Sequence, residues 1–110
     1  MKVVVYNNSS LGLIRLEAES MGLPAWKAMD FKNPDYVAFA RACGAAGFKA
    51  EKPGELRAAI DQAFKAEGPA IASCIVPADE LPNLPHIDLE KIENVAKAKV
   101  KEKILAVTGG

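Results

Sequence analysis

Two adjacent asparagines, Asn7 and Asn8, follow the apolar run Val3–Tyr6, and Ser9, Ser10 and Gly12 come directly after them. Asparagine offers a neutral carbonyl oxygen, which suits a hard cation such as Mg2+, and two donors for a phosphate or a substrate carbonyl. The same residues tolerate turn geometry and cap helices, so the pair equally suits a plain turn between a strand and a helix. Asn7-Asn8-Ser9 and Asn8-Ser9-Ser10 match the glycosylation sequon, a weak signal beside a buried strand with no leader ahead of it. Ser10 with Gly12 resembles half of a nucleophile elbow. Asn8 stands where that motif needs its first glycine, and the sole histidine, His86, falls in a proline-rich segment. Serine hydrolysis is therefore a poor fit.

The elements that must position these residues follow from periodicity. Val3–Tyr6 is a continuous β-branched run, as expected of a strand buried on both faces. Leu11–Ser20 reads as a short helix with Leu13, Ile14 and Leu16 among its apolar positions, ended by Gly22-Leu23-Pro24; a loop then runs through Trp26 and Met29. Asp35–Cys43 reads as a second helix, with Asn33 as N-cap, Pro34 in first position, Gly44 as terminator, and a stripe of Tyr36, Phe39, Ala40 and Cys43. Ala46–Ala50 is a short strand. Pro53-Gly54 opens an amphipathic helix whose buried face is Leu56, Ala59, Ile60, Ala63 and Phe64, stopped by Gly68-Pro69. Ala70–Val76 is another strand. Pro77, Pro82 and Pro85 mark a strap, and a last helix from Leu89 to Val107 is capped by Asp88. Its expected buried side is Leu89, Ile92, Ala96, Val100, Ile104 and Val107, with Lys97, Lys99, Lys101 and Lys103 as a solvated face.

The order β-α-α-β-α-β-α implies a three-layer α/β/α fold with a small parallel sheet and right-handed crossovers. In such sheets ligands sit outside the carboxyl ends of the strands, which is where Asn7-Asn8 falls. The expected division is an α/β domain over residues 1–76, the strap 77–88 and the C-terminal helix 89–110.

The totals narrow the function classes. The 110 residues are 50% hydrophobic and 25% charged, and Lys plus Arg balance Asp plus Glu at 14 each. That balance gives no sign of a nucleic-acid or anionic-membrane partner, and leaves little self-repulsion to oppose association. No apolar stretch approaches the ~20 residues of a membrane helix. Cys43 and Cys74 lie apart within apolar patterns, as expected of buried free thiols in the reducing cytoplasm.

Two longer strings, "VVVYNNSSLGLIRLEAE" and "DYVAFARACGAAGFKAEKPGELRAAIDQAFKAEGPAIASCIV", carry a resemblance across most of the chain. They resemble the carboxyl-terminal part of the thiamine diphosphate-dependent enzymes of the pyruvate oxidase, quinone-dependent pyruvate dehydrogenase and acetolactate synthase group. The resemblance implies a Rossmann-like cofactor-binding fold, present here in truncated form. It also implies a motif running from Gly-Asp-Gly to Asn-Asn that binds Mg2+ and, through it, the cofactor diphosphate. Carried over, Asn8 supplies a side-chain oxygen and Ser10 a main-chain oxygen to the metal, with Asn7, Leu11, Gly12 and Leu13 lining the cofactor. Leu13 matches a bulky position, often aromatic in that group, and Glu17 a glutamate facing the reacting thiazolium.

The Gly-Asp-Gly half, the pyrimidine-binding domain and the flavin-carrying middle domain of the oxidases have no counterpart in this sequence. One asparagine oxygen and one carbonyl leave the octahedral shell of Mg2+ short of ligands and charge. The expectation is a fragment of an enzyme acting on pyruvate or a related 2-keto acid. Alone it should be inactive, bind cofactor weakly and carry no FAD. It should also self-associate, or pair with an amino-terminal portion, through open sheet edges and bared apolar surface. The competing expectation is a non-catalytic interaction or assembly module that keeps this fold.

Overall fold

The computed structural model describes residues 1–25, 29–79 and 88–109. Trp26, Pro82, Pro85 and His86, and with them most of the strap, lie outside the described residues. The described residues form β1 (Lys2–Asn7), α1 (Gly12–Ser20), α2 (Tyr36–Ala42), β2 (Ala46–Ala50), α3 (Pro53–Lys65), β3 (Ala70–Ile75) and α4 (Leu89–Thr108). They divide into two compact units that do not follow chain order. One comprises Met1–Ser9 with Lys32–Ala78, the other Ser10–Phe31 with Asp79–Gly110.

The first unit is an α/β sandwich around a parallel sheet of order β1-β3-β2. Lys2 to Asn7 run alongside Ala70 to Ile75, and Ala46 to Ala50 alongside Ala70 to Cys74. Side chains alternate between faces. Val4, Phe48, Ala50, Ala72 and Cys74 share one face and pack against Leu56, Ala59, Ile60 and Ala63 of α3. Gly47 lies on the other face, where α2 crosses so closely that an added Cβ would stand 2.8 Å from Val37 Cα. The two helices thus cover opposite faces, the three-layer arrangement expected from the order of elements.

Local chemistry fixes the ends of these helices. The Glu55 carboxylate accepts from the backbone N–H groups of Glu51 (3.0 Å) and Lys52 (3.3 Å), and Pro53 starts α3 where no intrahelical donor is needed. The Lys2 ammonium donates to the carbonyls of Ala66 and Gly68, tying β1 to the turn that follows α3. Gly44 takes φ +72 after α2, and the paired bonds Ala45 N–H to Ala40 O (2.8 Å) and Gly44 N–H to Arg41 O (3.0 Å) close the helix.

Several sequence expectations need correction here. Asp35, not Asn33, caps α2: its carboxylate accepts from Val37 N–H (2.9 Å) and Ala38 N–H (3.1 Å). Pro34 therefore lies before the helix, and it biases Asn33 toward an extended backbone rather than a cap. The stripe on α2 is also rotated. Only small side chains fit where Gly47 draws the helix in, so Val37 and Ala40 face the sheet and Phe39 is exposed. Cys43 is exposed as well, whereas Cys74 is buried as expected, and both are free thiols. Phe64 at the edge of α3 is exposed rather than buried.

The second unit pairs α1 with α4. Ala18, Glu19 and Ala98 are its buried centre. The expected apolar side of α4 is instead exposed from Leu89 to Val107, and part of its lysine face is engaged. Lys99 Nζ donates to Glu19 (2.8 Å), Lys101 Nζ to Gly22 O (2.8 Å), and Glu102 accepts from Ala25 N–H (2.8 Å). These polar anchors, with Ala98 between them, set which side of α4 meets α1. No helix among the described residues is long and apolar enough to cross a membrane.

Candidate functional site

The residues singled out by sequence fall in both units, and each half is described by itself. In the sheet unit, β1 ends with Asn7 at the carboxyl end of the parallel sheet, and Asn8 follows half-buried. Asn7 Oδ1 accepts from Ser9 N–H (3.1 Å) and from Ser9 Oγ (3.3 Å), a side-chain-closed turn. Ser9 occupies the left-handed region at φ 52, an uncommon setting for a side-chain-bearing residue, and this turn holds it there. Asn33 Nδ2 also donates to Asn7 Oδ1 (2.5 Å), and Asn33 Oδ1 accepts from the Tyr36 hydroxyl (3.1 Å). The first asparagine of the pair is thus built into the wall of the rim. Asn33 and Tyr36 continue that hydrogen-bonded wall.

The α2 start adds a fixed carboxylate nearby in sequence. Backbone donation from Ala38, and then from Val37, holds the Asp35 carboxyl below the usual carboxylate range. The Asn33-Pro34-Asp35 string was the available signal for this arrangement: an aspartate two residues before a helical valine is positioned to cap it.

In the helical unit, Ser10 is buried and forms an antiparallel bridge with Asp30, and Leu11 N–H donates to Met29 O (2.8 Å). Leu11 precedes α1 without a side-chain cap, Gly12 opens the helix, and no acidic residue lies in its first turn. A helix start of this kind presents unshielded N–H groups and suits an anion. Leu13 and Glu17, one turn apart, share an exposed side of α1. The other side carries a cluster of charges. Glu19, only 2% exposed, pairs with Arg15 Nε (3.3 Å) and Lys99 Nζ (2.8 Å), and Arg15 also reaches Asp30 (3.4 Å). Burial alone would lower the Lys99 pKa, but the hydrogen bond and charge of Glu19, helped by Glu102, outweigh it and raise it. Only the Arg15–Glu19 spacing of this cluster was visible in the sequence.

The donor chemistry fits part of a hard-cation site. Asn8 offers a neutral amide oxygen, and no group of three or more His, Cys, Asp or Glu side chains among the described residues is placed to hold a metal. Such residues suit a cation whose remaining ligands are phosphate oxygens and groups from other segments.

Comparison with known proteins identifies the domain. Residues 1–74 match the family described as thiamine pyrophosphate enzyme, C-terminal TPP binding domain. The chain is 35% identical over 74 residues to YdaP of Bacillus subtilis (strain 168), named as a thiamine pyrophosphate-containing protein. It is 32% identical over 81 residues to the acetolactate synthase of the same organism. These alignments cover 67% and 74% of this chain but only 13% and 14% of the relatives, so the chain spans a small part of their length. A match over most of the described sheet unit and α1, on a fold of the expected topology, settles the assignment: the chain belongs to the thiamine pyrophosphate enzymes, through their C-terminal TPP-binding domain.

Proposed function

We propose that this chain supplies the Asn-Asn part of a Mg2+–diphosphate site in a thiamine diphosphate-dependent enzyme acting on pyruvate or a related 2-keto acid. The observation that carries the reading is Asn7. Its side-chain oxygen is engaged by Ser9 and Asn33, so it shapes the turn at the carboxyl end of β1, and the next residue is Asn8. In this reading Asn8 Oδ1 and the Ser10 main-chain oxygen are metal ligands. The N–H groups from Leu11 and Gly12 onward face the diphosphate, and the uncapped start of α1 supports that role.

Thiamine diphosphate, when bound in the complete protein, supplies the electron sink for decarboxylation. The residues of this chain bind and orient. Leu13 offers apolar surface beside the reacting ring, and Glu17, on the same side of α1, holds or accepts a proton there. Metal ligands beyond Asn8 and Ser10, and any FAD, belong to segments other than this one. Two free thiols suit a reducing compartment, and the reading places the protein in the cytoplasm.

The test is complementation. The chain alone should turn over no pyruvate and bind thiamine diphosphate and Mg2+ weakly. Mixing it with a polypeptide bearing the Gly-Asp-Gly half and the pyrimidine domain should restore cofactor-dependent decarboxylation. Micromolar cofactor binding by the chain alone would contradict the incomplete-site reading. A second reading, a non-catalytic assembly module, is favoured by the apolar residues exposed along α4. Restored turnover would exclude it.

A further inference from the structure

Helix α4 lies beyond the residues matched by the cofactor-binding family and has an outward face of unusual regularity. Leu89, Ile92, Ala96, Val100, Ile104 and Val107 line the side opposite Ala98, and all are exposed, Leu89 at 84% and Val107 at 88%. They are placed in pairs at equal distances from Ala98: Leu89 with Val107, Ile92 with Ile104, Ala96 with Val100. The same face carries one acid and one base, Glu93 and Lys103, also equidistant from Ala98. Elsewhere on the helix acids and bases are mixed, with Glu90, Lys91 and Lys97 before Ala98 and Lys99, Lys101 and Glu102 after it.

We infer that this face of α4 is a self-association surface: it pairs antiparallel with α4 of a second copy of this chain, about a two-fold axis level with Ala98. A two-fold contact must be self-complementary, each residue meeting its counterpart at the same distance from the axis. The apolar positions satisfy that condition, and so does the one charged pair on the face, Glu93 with Lys103. Ile92 lies level with Ile104 of the second copy, Leu89 with Val107, and the small Ala96 with Val100 at the centre, where the helices come closest. Glu93 lies level with Lys103 of the second copy, twice by symmetry. Parallel pairing would set Glu93 against Glu93 and Lys103 against Lys103. Among the described residues Glu93 makes a long, exposed contact with Lys97 (4.0 Å), and its side chain lies at the surface. A formal net charge of zero leaves no general repulsion to oppose it. The 20-residue helix is about 30 Å long, so one helix face from each copy makes a small contact and the equilibrium should depend on concentration.

Sedimentation equilibrium of the 110-residue chain across a wide concentration range tests this directly. The chain should follow a monomer–dimer equilibrium. Glu93→Lys and Lys103→Glu should each raise the dimer dissociation constant about tenfold or more, because each sets like charges together. The double variant should return to near the original value. Both positions are exposed, so each variant should fold, and circular dichroism is the check. A monomer at every concentration would overturn the inference. So would a dimer indifferent to the single changes, single losses that the double change does not repair, or binding to phosphatidylglycerol vesicles in place of dimerisation. None of these outcomes depends on thiamine diphosphate.

Discussion

Each of the two units has its own interior, and the two interiors rest on different physics. The sheet unit is an apolar sandwich built largely from small residues: Ala50, Ala59, Ala63, Ala70, Ala72 and Cys74 are buried, and Gly47 draws α2 against the sheet. The helical unit has a polar centre. Glu19 is buried between Arg15 and Lys99, while the apolar side chains of α4 face outward. The sheet unit thus buries a core of small apolar side chains within one chain, while larger ones such as Tyr6, Phe39 and Phe64 stay exposed. The helical unit makes its internal contacts largely through charge and leaves an apolar face of α4 exposed.

That contrast can be broken at single residues. Gly47→Val should be the most damaging change, costing about 3 kcal/mol or more, because the new side chain must displace Val37 and its backbone rather than a mobile side-chain end. A denaturant midpoint measures it, and an unchanged midpoint would show that α2 does not pack as closely as described. Glu19→Leu should cost about 2 kcal/mol. It leaves Arg15 and Lys99 without their shared carboxylate, though their partial exposure lets water compensate. If the helical unit instead became more stable, its polar centre would be a liability rather than its anchor.

Titration sharpens the same contrast with smaller effects. The folded-state pKa of Asp35 is lowered, so its cap stabilises above the ordinary carboxylate range and is lost as pH falls through the folded value. Asp35→Ala should flatten that acid limb while also lowering the midpoint at neutral pH. The folded-state pKa of Lys99 is raised, so its pairing with Glu19 is complete below the ordinary lysine range and is lost as pH rises through the folded value. Glu19→Gln should flatten the alkaline limb. The smallest effect belongs to the thiols. Cys43 should react with a thiol reagent in the native protein with little change in stability, and Cys74, buried and with its pKa pushed up by that burial, only after unfolding.

These expectations also show which features were legible from residues alone. The positions of the strands and of α3 were, because apolar runs and a regular apolar rhythm mark the elements of the sheet unit. The expected burial of β1 on both faces was not met: β1 is an edge strand with Tyr6 exposed. The rim was only half legible. Asn7-Asn8 marked the strand end, but the Asn33 partner depends on where a distant segment returns to the rim, whereas the Asp35 cap is local and its signal lay in the Asn33-Pro34-Asp35 string. The α4 stripe was read correctly as an apolar face and wrongly as a buried one. Periodicity reports that a face is apolar and says nothing of whether the covering surface lies in the same chain. The rotation of α2 escaped detection because it depends on Gly47, whose effect is felt only across the packed sheet.

The claim on which the rest depends is that Asn8, after a turn built by Asn7, helps to hold the metal of a cofactor diphosphate. It is tested by titrating thiamine diphosphate with Mg2+ into the chain complemented by the Gly-Asp-Gly-bearing portion, with and without Asn8→Ala. The account predicts at least about a tenfold loss of affinity for the variant, with its circular dichroism unchanged. Equal affinity for the two would contradict it.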